Sequence, residues 1–509
     1  MNHFQNTFLY IYKYKHGLER QAVALENMAV SMGNDFLVAV NSNGVVFTCG
    51  NNKKGQLGVC PELDEIPQRT LLEALDLHST ADQENVFMVS AGYAHAACVT
   101  RNGSVYTWGC GENGQLGIAR IQPYSRPQRV YSVLHERSPA TMIACGDNYT
   151  LMLTAAGHVW GCGDNICFQL GIENTTNPLR TPYCNVTEFT MIPPARFDCG
   201  DGHTGVSFIA AAQFHSVAVG RDNGMLWTWG QCSVGRLGHG DGHINSVAKL
   251  PTAIQESTFD EPIVSAFVTR TFTMAVTATG VLWASGKSEH GALGLGEIKE
   301  CHRFKRVGGP EYFRDQLRSV ACSSHHSVIV TRNGSIWVCG DKNSHCLGFD
   351  ADEQDYSRPL RMHDATFDRK ALELVSAYGT RSVAVTTDGG LYTWGCEPAA
   401  VRTGLCLAAE DRTVYYSPDT KMDVIVQYEP KKVLYTGLWH ENIDPFGLWI
   451  YPVSEEEKLA FAMCTHMRLG PGSPYSHMPR EILELVLDNS RKVPGVKLMG
   501  TGLRNVLGI

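Results

Sequence analysis

The chain has 509 residues, of which 43% are hydrophobic and 18% charged, and its formal net charge is −8 with a pI of about 6.2. That balance excludes a disordered chain and a generally basic surface for nucleic acid. No run of eighteen apolar residues occurs, so no membrane span is expected.

This length suits two to four ordinary domains or one repeat array. The 50 glycines exceed the average usage of about 7% and follow no collagen period, which points to many tight turns and β structure. The 17 cysteines are odd in number and include no Cys-x-x-Cys pair. Several sit inside strand-like runs (Cys49, Cys98, Cys145, Cys322 and Cys339). They read as reduced thiols in a cytoplasmic or nuclear protein.

Residues 1–28 contain a strand-like stretch, Phe8 to Tyr12, followed by Lys13, Lys15, His16 and Arg20. That basic cluster is either a small anionic contact or a solvated edge. A repeated unit then begins. Its clearest copy is VSAGYAHAACVTRNGSVYTWGCGENGQLG, Val89 to Gly117. Two alternating runs flank Asn102-Gly103, the pattern of a tight hairpin whose two central residues both take positive φ. The other copies start at Val30, Ile143, Ile209, Val264, Val320 and Val375. The glycine that ends each hairpin falls at 50, 109, 163, 230, 286, 340 and 395, with spacings of 59, 54, 67, 56, 54 and 55. A hairpin recurring every fifty-odd residues predicts a propeller or a stacked β array.

Between the hairpins lie extended pieces led by proline, such as Arg126-Pro127-Gln128 and Ser357-Arg358-Pro359. Proline lacks a ladder donor and suits an outer edge. Each unit therefore supplies a four-stranded blade, and the fold class is an all-β, seven-bladed propeller over residues 29–450. Closing the ring removes exposed edges. The expected seal is a pairing of the N-terminal strand (6–25) with Met422–Val433. The longest spacing leaves extra residues at 172–208, including Pro193-Pro194, read either as a projecting loop or as a decorated outer strand.

Fourteen residues before each hairpin glycine, with a one-residue shift in the fourth copy, stand Phe36, His95, Tyr149, His215, Phe272, His326 and Arg381. Equivalent positions in different blades spread round a ring, and Phe and Tyr share the slot. The histidines therefore read as hydrogen-bonded structural residues, and no metal site is expected. His325-His326 and His239-Gly-Asp-Gly-His243 complete no metal set in the sequence. No GxSxG, HExxH or GxxxxGK[ST] motif occurs, so no catalytic residue, cofactor or enzyme activity is expected.

These units resemble the regulator of chromosome condensation repeat, over roughly residues 28–405. The resemblance rests on Ala91-Gly92-x-x-His95, Val105-Tyr106-x-Trp108-Gly109 and Gly114-Gln115-Leu116-Gly117, with His-Ser literal at His215-Ser216 and His326-Ser327. It implies a protein-binding propeller. Because the founding member is a guanine-nucleotide exchange factor that also binds chromatin, it also permits exchange on a Ras-like small GTPase or a chromatin role. The basic tail and loop that chromatin binding would use are not evident, and direct nucleic-acid binding is not expected. Asp147 and Asp201 are acidic candidates near the inner strands.

From about Tyr451 the pattern turns helical. Ser454 precedes three glutamates, with Glu457 at the capping-box spacing, and Gly470-Pro471 ends the run. A second helix starts near Pro479. Pro479, Glu481, Ile482, Leu483, Val486 and Leu487 are similar to the opening of an F-box. That resemblance implies docking on a Skp-type adaptor of a ubiquitin ligase, and these six are the candidate partner-binding residues. The other reading of 451–509 is a small α-helical extension that packs on the propeller. Taken together, the sequence predicts a non-enzymatic interaction protein, a substrate-recognition or scaffold subunit, with exchange-factor activity as the alternative.

Overall fold

The computed structural model describes residues 28–432 except 42–43, 60–67, 75–84, 132–137, 173–184, 199–204, 242–245, 309–312, 314–316, 343–345, 350–355, 363–371, 387–390, 399–412 and 418–421. The N-terminal strand, Asp201 and the whole 451–509 segment, with Pro479, Glu481, Ile482, Leu483, Val486 and Leu487, lie outside the described residues. Among the described residues no helix is long and apolar enough to cross a membrane.

Each hairpin of the sequence grows into a separate antiparallel sheet. Six sheets hold four strands in chain order: residues 28–74, 86–129, 140–191, 206–253, 263–306 and 317–361. The seventh, 372–432, holds five, because Met422–Lys432 takes the fourth position and Thr413–Ser417 lies outside it. The first strand of every blade neighbours the first strands of the blades on either side, blade 7 against blade 1 included, so seven blades close a ring.

The inner strands explain why they can crowd the axis. Blade 2 presents Val89-Ser90-Ala91 there, blade 4 Ile209-Ala210-Ala211 and blade 6 Val320-Ala321-Cys322, small side chains that suit the narrow end of a wedge. Serines on these strands stitch neighbours together. Ser31 Oγ accepts from the Ala91 amide and Ser90 Oγ from the Cys145 amide, both at 3.0 Å.

The expected seam does not involve the last strand. Met422–Lys432 pairs with Leu391–Pro398 and with Thr413–Ser417, both of its own blade. Each described blade is one continuous stretch, so closure needs no shared sheet. The first strand of blade 7 packs on that of blade 1, and the Arg381 guanidinium donates to the backbone carbonyls of Gly33 and Asn34.

The hairpin turn differs from expectation in one detail. His95–Thr100 and Val105–Gly109 pair with Val99 opposite Val105, but only Gly103 (φ 81°) is left-handed; Asn102 is not. Gly103 N donates to Thr100 O at 2.8 Å, closing a four-residue turn whose last residue is the left-handed glycine. A wider loop with one left-handed residue replaces the two-residue turn and leaves Asn102 unstrained.

The prolines do mark outer strands, at Tyr124–Arg129 and Tyr356–Arg361. The 172–208 stretch supplies the fourth strand of blade 3, Val186–Met191, and then a single 3-10 turn, Pro194–Phe197. Phe197 is buried edge-on against Trp227 and Trp229 of blade 4, with ring centroids 5.7 and 6.0 Å away. The described part of this stretch is thus a clip on the next blade. One thiol departs from the reduced state expected of it: Cys49 is disulfide-bonded, while eleven described cysteines are free.

The strands alternate in sequence, yet His95–Thr100 is buried along its whole length. Both faces of a middle strand meet a neighbouring blade, so its polar residues are placed for hydrogen bonds between blades and not for solvent. Trp108 Nε1 donates to Gln56 O, Trp229 Nε1 to Gln169 O and Trp394 Nε1 to Cys346 O, each reaching the closing turn of the preceding blade at 2.8–2.9 Å.

Gly109 shows how tightly the hairpin end is built. Its φ is 96°, and a Cβ there would sit 2.6 Å from Ala94 O and 2.8 Å from His95 Cα. Gly109→Ala should destabilise the fold by about 2–3 kcal/mol. Gly379→Ala, also left-handed but with nothing within 4 Å of the new Cβ, should cost about 1 kcal/mol. Chemical denaturation of the two variants beside the wild type checks the difference.

Candidate functional site

The recurring slot is the first residue of each second strand, and what fills it links one blade to the next. His95 Nε2 lies 2.9 Å from Thr150 Oγ1, and His215 Nε2 lies 2.8 Å from Thr273 Oγ1. His326 Nε2 meets Ser382 Oγ. The hydroxyl in turn donates to the closing turn of the preceding blade: Thr150 to Gln115 O at 2.7 Å, Thr273 to Arg236 O at 2.8 Å. A hydroxyl carries one proton, so each of these two imidazoles is the donor at Nε2. Tyr149 fills the slot differently: its hydroxyl donates to His215 O at 2.7 Å and lies 2.8 Å from Ser216 Oγ. Burial pulls His95 down to about 3 and His215 well below its ordinary value. The slot residues do not converge on one point, as their spread round the ring requires.

The loops that precede the slot do converge. They run between the first and second strands of all seven blades and line a depression of about 700 Å³ at one end of the central axis. Two residues before the slot, the seven blades present Asn34, Tyr93, Asp147, Gln213, Arg270, Ser324 and Gly379. One backbone position thus carries an aromatic, an acid, a base, two amides, a hydroxyl and a bare glycine. Neighbouring loops are joined through their backbones: Asn34 N donates to Tyr93 O at 3.3 Å and Tyr93 N to Asp147 O at 3.2 Å.

Charge in the depression is mixed. Burial pushes the Asp147 carboxyl up to about 6, against the opposing pull of the Tyr378 hydroxyl and the Arg270 guanidinium. Tyr378 Oη donates to Asp147 Oδ1 at 3.3 Å, from blade 7 to blade 3, so the pair reaches across the axis. Burial also holds Arg236 down to about 10. Tyr93 stands 46% exposed and Arg270 is exposed, which leaves a large ring and a cation free to meet a ligand. Half-buried Asp147, partly satisfied by one phenol, can accept a hydrogen bond or pair with an incoming cation.

Asp147 was legible in the sequence as an acid beside an inner strand. Tyr378, Tyr93 and Arg270 were not, because nothing in a single repeat marks them. Lining up the seven copies and asking which column varies would have found this position.

A ring of seven blades, each with a hairpin ended by a left-handed glycine, and with a Gly-x-Leu-Gly turn in blades 1, 2, 4 and 5, defines the class of regulator-of-chromosome-condensation propellers. The chain belongs to that family: residues 14–314 match the RCC1-like domain and residues 317–345 the regulator of chromosome condensation (RCC1) repeat. It is 27% identical to the human E3 ubiquitin-protein ligase HERC2 over 71% of this chain, and spans only 7% of that protein's length. It is 25% identical to the regulator of chromosome condensation of Xenopus laevis, over 74% of this chain and 84% of that one. Among solved structures, Prp20p of Saccharomyces cerevisiae, described with its binding properties to Gsp1p and histones, superposes with a TM-score of 0.58 at 20% identity, covering 76% of this chain and 84% of that one.

Two pH effects follow. His95 is neutral in the fold, with a value near 3 against about 6.5 unfolded, so the unfolded state binds the extra proton between those values. Its contribution is present above about pH 6.5 and is lost as pH falls towards 3. His95→Phe, the residue blades 1 and 5 use in this slot, should make the loss of stability between pH 6 and 4 shallower by about 1.4 kcal/mol per pH unit. Asp147 has the opposite sign, because its folded value is raised to about 6. Its contribution is present below about pH 4 and is lost as pH rises through 6. Asp147→Asn should therefore stabilise the fold at pH 8 by about 1–3 kcal/mol, with the gain vanishing near pH 4. Denaturant titrations at four pH values test both.

Proposed function

We propose that the chain is a non-catalytic interaction protein whose propeller recognises a protein partner at the seven-loop depression. The observation that carries this reading is the variable column Asn34, Tyr93, Asp147, Gln213, Arg270, Ser324 and Gly379, set on an otherwise repetitive scaffold. Asp147 is half-buried and its carboxyl is raised by burial, so it weakens the fold at neutral pH, and a group that costs stability in a pocket is a candidate for binding. The mix of an exposed aromatic, an arginine and a carboxylate suits a polar loop or terminus of another protein better than an apolar small molecule.

The sequence of residues 451–509 supplies the second half of the reading. Pro479, Glu481, Ile482, Leu483, Val486 and Leu487 would dock a Skp-type adaptor, making the chain a substrate-recognition subunit of a ubiquitin ligase in the cytoplasm or nucleus. The similarity of the propeller to part of a ubiquitin ligase agrees with that setting without requiring it. The alternative is exchange on a Ras-like small GTPase, favoured by the likeness to the Xenopus regulator of chromosome condensation and to Prp20p, described with Gsp1p.

Affinity capture with quantitative mass spectrometry separates these readings. Arg270→Glu should lose the propeller's partners by at least about tenfold while keeping the adaptor. Ile482→Asp with Leu483→Asp should lose the adaptor and keep the propeller's partners. An unchanged partner set in the Arg270 variant would sink the depression as the binding face. Nucleotide release from a panel of purified small GTPases decides the alternative: acceleration of any one supports exchange, and no acceleration removes it.

A further inference from the structure

Where blade 5 meets blade 6, three side chains from separate loops face one another. His290 comes from the closing turn of blade 5, His325 from the first loop of blade 6, and Asp341 from the end of that blade's third strand. His325 Nδ1 lies 3.6 Å from Asp341 Oδ2, and His290 Nδ1 lies 3.9 Å from Asp341 Oδ1. The imidazoles stack at 6.1 Å between centroids, and one ligand atom from each of the three residues lies within 4.8 Å of the other two.

We infer that His290, His325 and Asp341 form a divalent metal site, best suited to zinc, that joins blades 5 and 6 at the rim of the depression. The separations are too long for hydrogen bonds between these atoms. The two histidine–aspartate separations exceed by about 0.3–0.6 Å the roughly 3.3 Å between ligands of a tetrahedral zinc with bonds of about 2.0–2.1 Å, and side-chain rotation that draws in the trio, now within 4.8 Å overall, completes the set. Two imidazoles and a carboxylate are zinc ligands by type, and three protein ligands leave a fourth position for water or a partner's side chain. Asp341 is only 4% exposed, which places a carboxylate where a cation gains most. His325 Nδ1 is buried with no hydrogen-bond partner, a lone pair or donor left aimed at the carboxylate.

The repeat itself argues that the fold does not require this trio. The same three positions hold Lys54, Ala94 and Cys110 between blades 1 and 2, and Asn113, Asn148 and Asp164 between blades 2 and 3. Between blades 4 and 5 they hold Val234, Thr271 and Lys287. The propeller tolerates almost anything there, and among the described residues only the blade 5–6 junction assembles three metal ligands. A different histidine, His302, also contacts carboxylates, but its two nitrogens are already hydrogen-bonded to Asp241 Oδ1 at 2.6 Å and Glu300 Oε1 at 2.9 Å.

The test uses the full chain, stripped with a chelator and given zinc or cobalt(II) alone. The wild type should take up one zinc per chain, unfold at a higher temperature with excess zinc, and give a tetrahedral cobalt spectrum without thiolate charge-transfer bands. His290→Asn and His325→Asn copy residues that the blade 2–3 junction already carries, so they should fold. Each should weaken zinc binding by at least about 100-fold, given that losing an outer-shell partner alone costs 10–100-fold. His302→Gln should leave binding unchanged. Absence of stoichiometric zinc in the wild type, thiolate bands in its cobalt spectrum, or loss of zinc in His302→Gln instead of the His325 variant would each overturn the assignment. The wild-type measurements decide it even if a variant fails to fold.

Discussion

The structure depends on one constraint: a middle strand of a blade is covered on both faces, so each polar group it carries has to be satisfied by a neighbouring blade. Thr150 takes a hydrogen bond from His95 of blade 2 and gives one to Gln115 of the same blade. Thr273 does the same between blades 4 and 5 with His215 and Arg236 O. Each hydroxyl thereby reads two features of the blade before it, its slot residue and its closing turn. The tryptophan on the adjacent strand reads that turn again, as Trp229 does at Gln169 O. A buried hydrogen bond contributes only about 1 kcal/mol net, but leaving either group unpaired costs more than making the bond gains. Registry between blades is enforced by that asymmetry.

The relay also explains which residues are free to vary. Anything engaged between blades is held to a few choices: His, Tyr, Phe or Arg in the slot, and Ser or Thr after it in blades 3 to 7. The loops two residues earlier touch mostly backbone and open space, so they are released from the repeat. Asp147, Tyr378 and Arg270 gather in the depression because the ring brings seven equivalent loops to one end of its axis. The His290, His325 and Asp341 cluster arises from the same freedom at the junction of two closing elements. Stability is written in the repeated columns, and the unrepeated ones are left free of it.

Much of this was readable before any coordinates. The hairpin glycines, the tryptophans and the proline-led outer strands each have a local physical reason, and all are found as expected. The misreadings also share a cause. Asn102 was assigned positive φ because Asn-Gly favours a two-residue turn, but the loop widened and Gly103 alone takes the strain. Met422–Lys432 was assigned to a seam with the N-terminus because closed rings need a seal, yet the described ring closes by packing and by Arg381 reaching two carbonyls of blade 1. In sequence the 172–208 stretch allows a projecting loop or a decorated outer strand, and its described part is the outer strand Val186–Met191 and a turn that buries Phe197 against blade 4. Cys49 was read as a free thiol because cysteine pairing leaves no periodic trace.

By itself, the sequence determined the number of blades, the hairpin in each and the residues that end them, because turn chemistry and strand alternation act within a few residues of one another. It also marked the slot histidines as structural, since a position shared by His, Tyr and Phe cannot be a ligand set. Only the tertiary structure decided what meets what across the ring. Tyr378 and Asp147 are 231 positions apart in the chain and 3.3 Å apart in space, and His290 reaches Asp341 only because successive blades press a closing turn of one against the third-strand end of the next. Those meetings depend on the curvature and closure of the whole ring, which no local pattern of residues encodes.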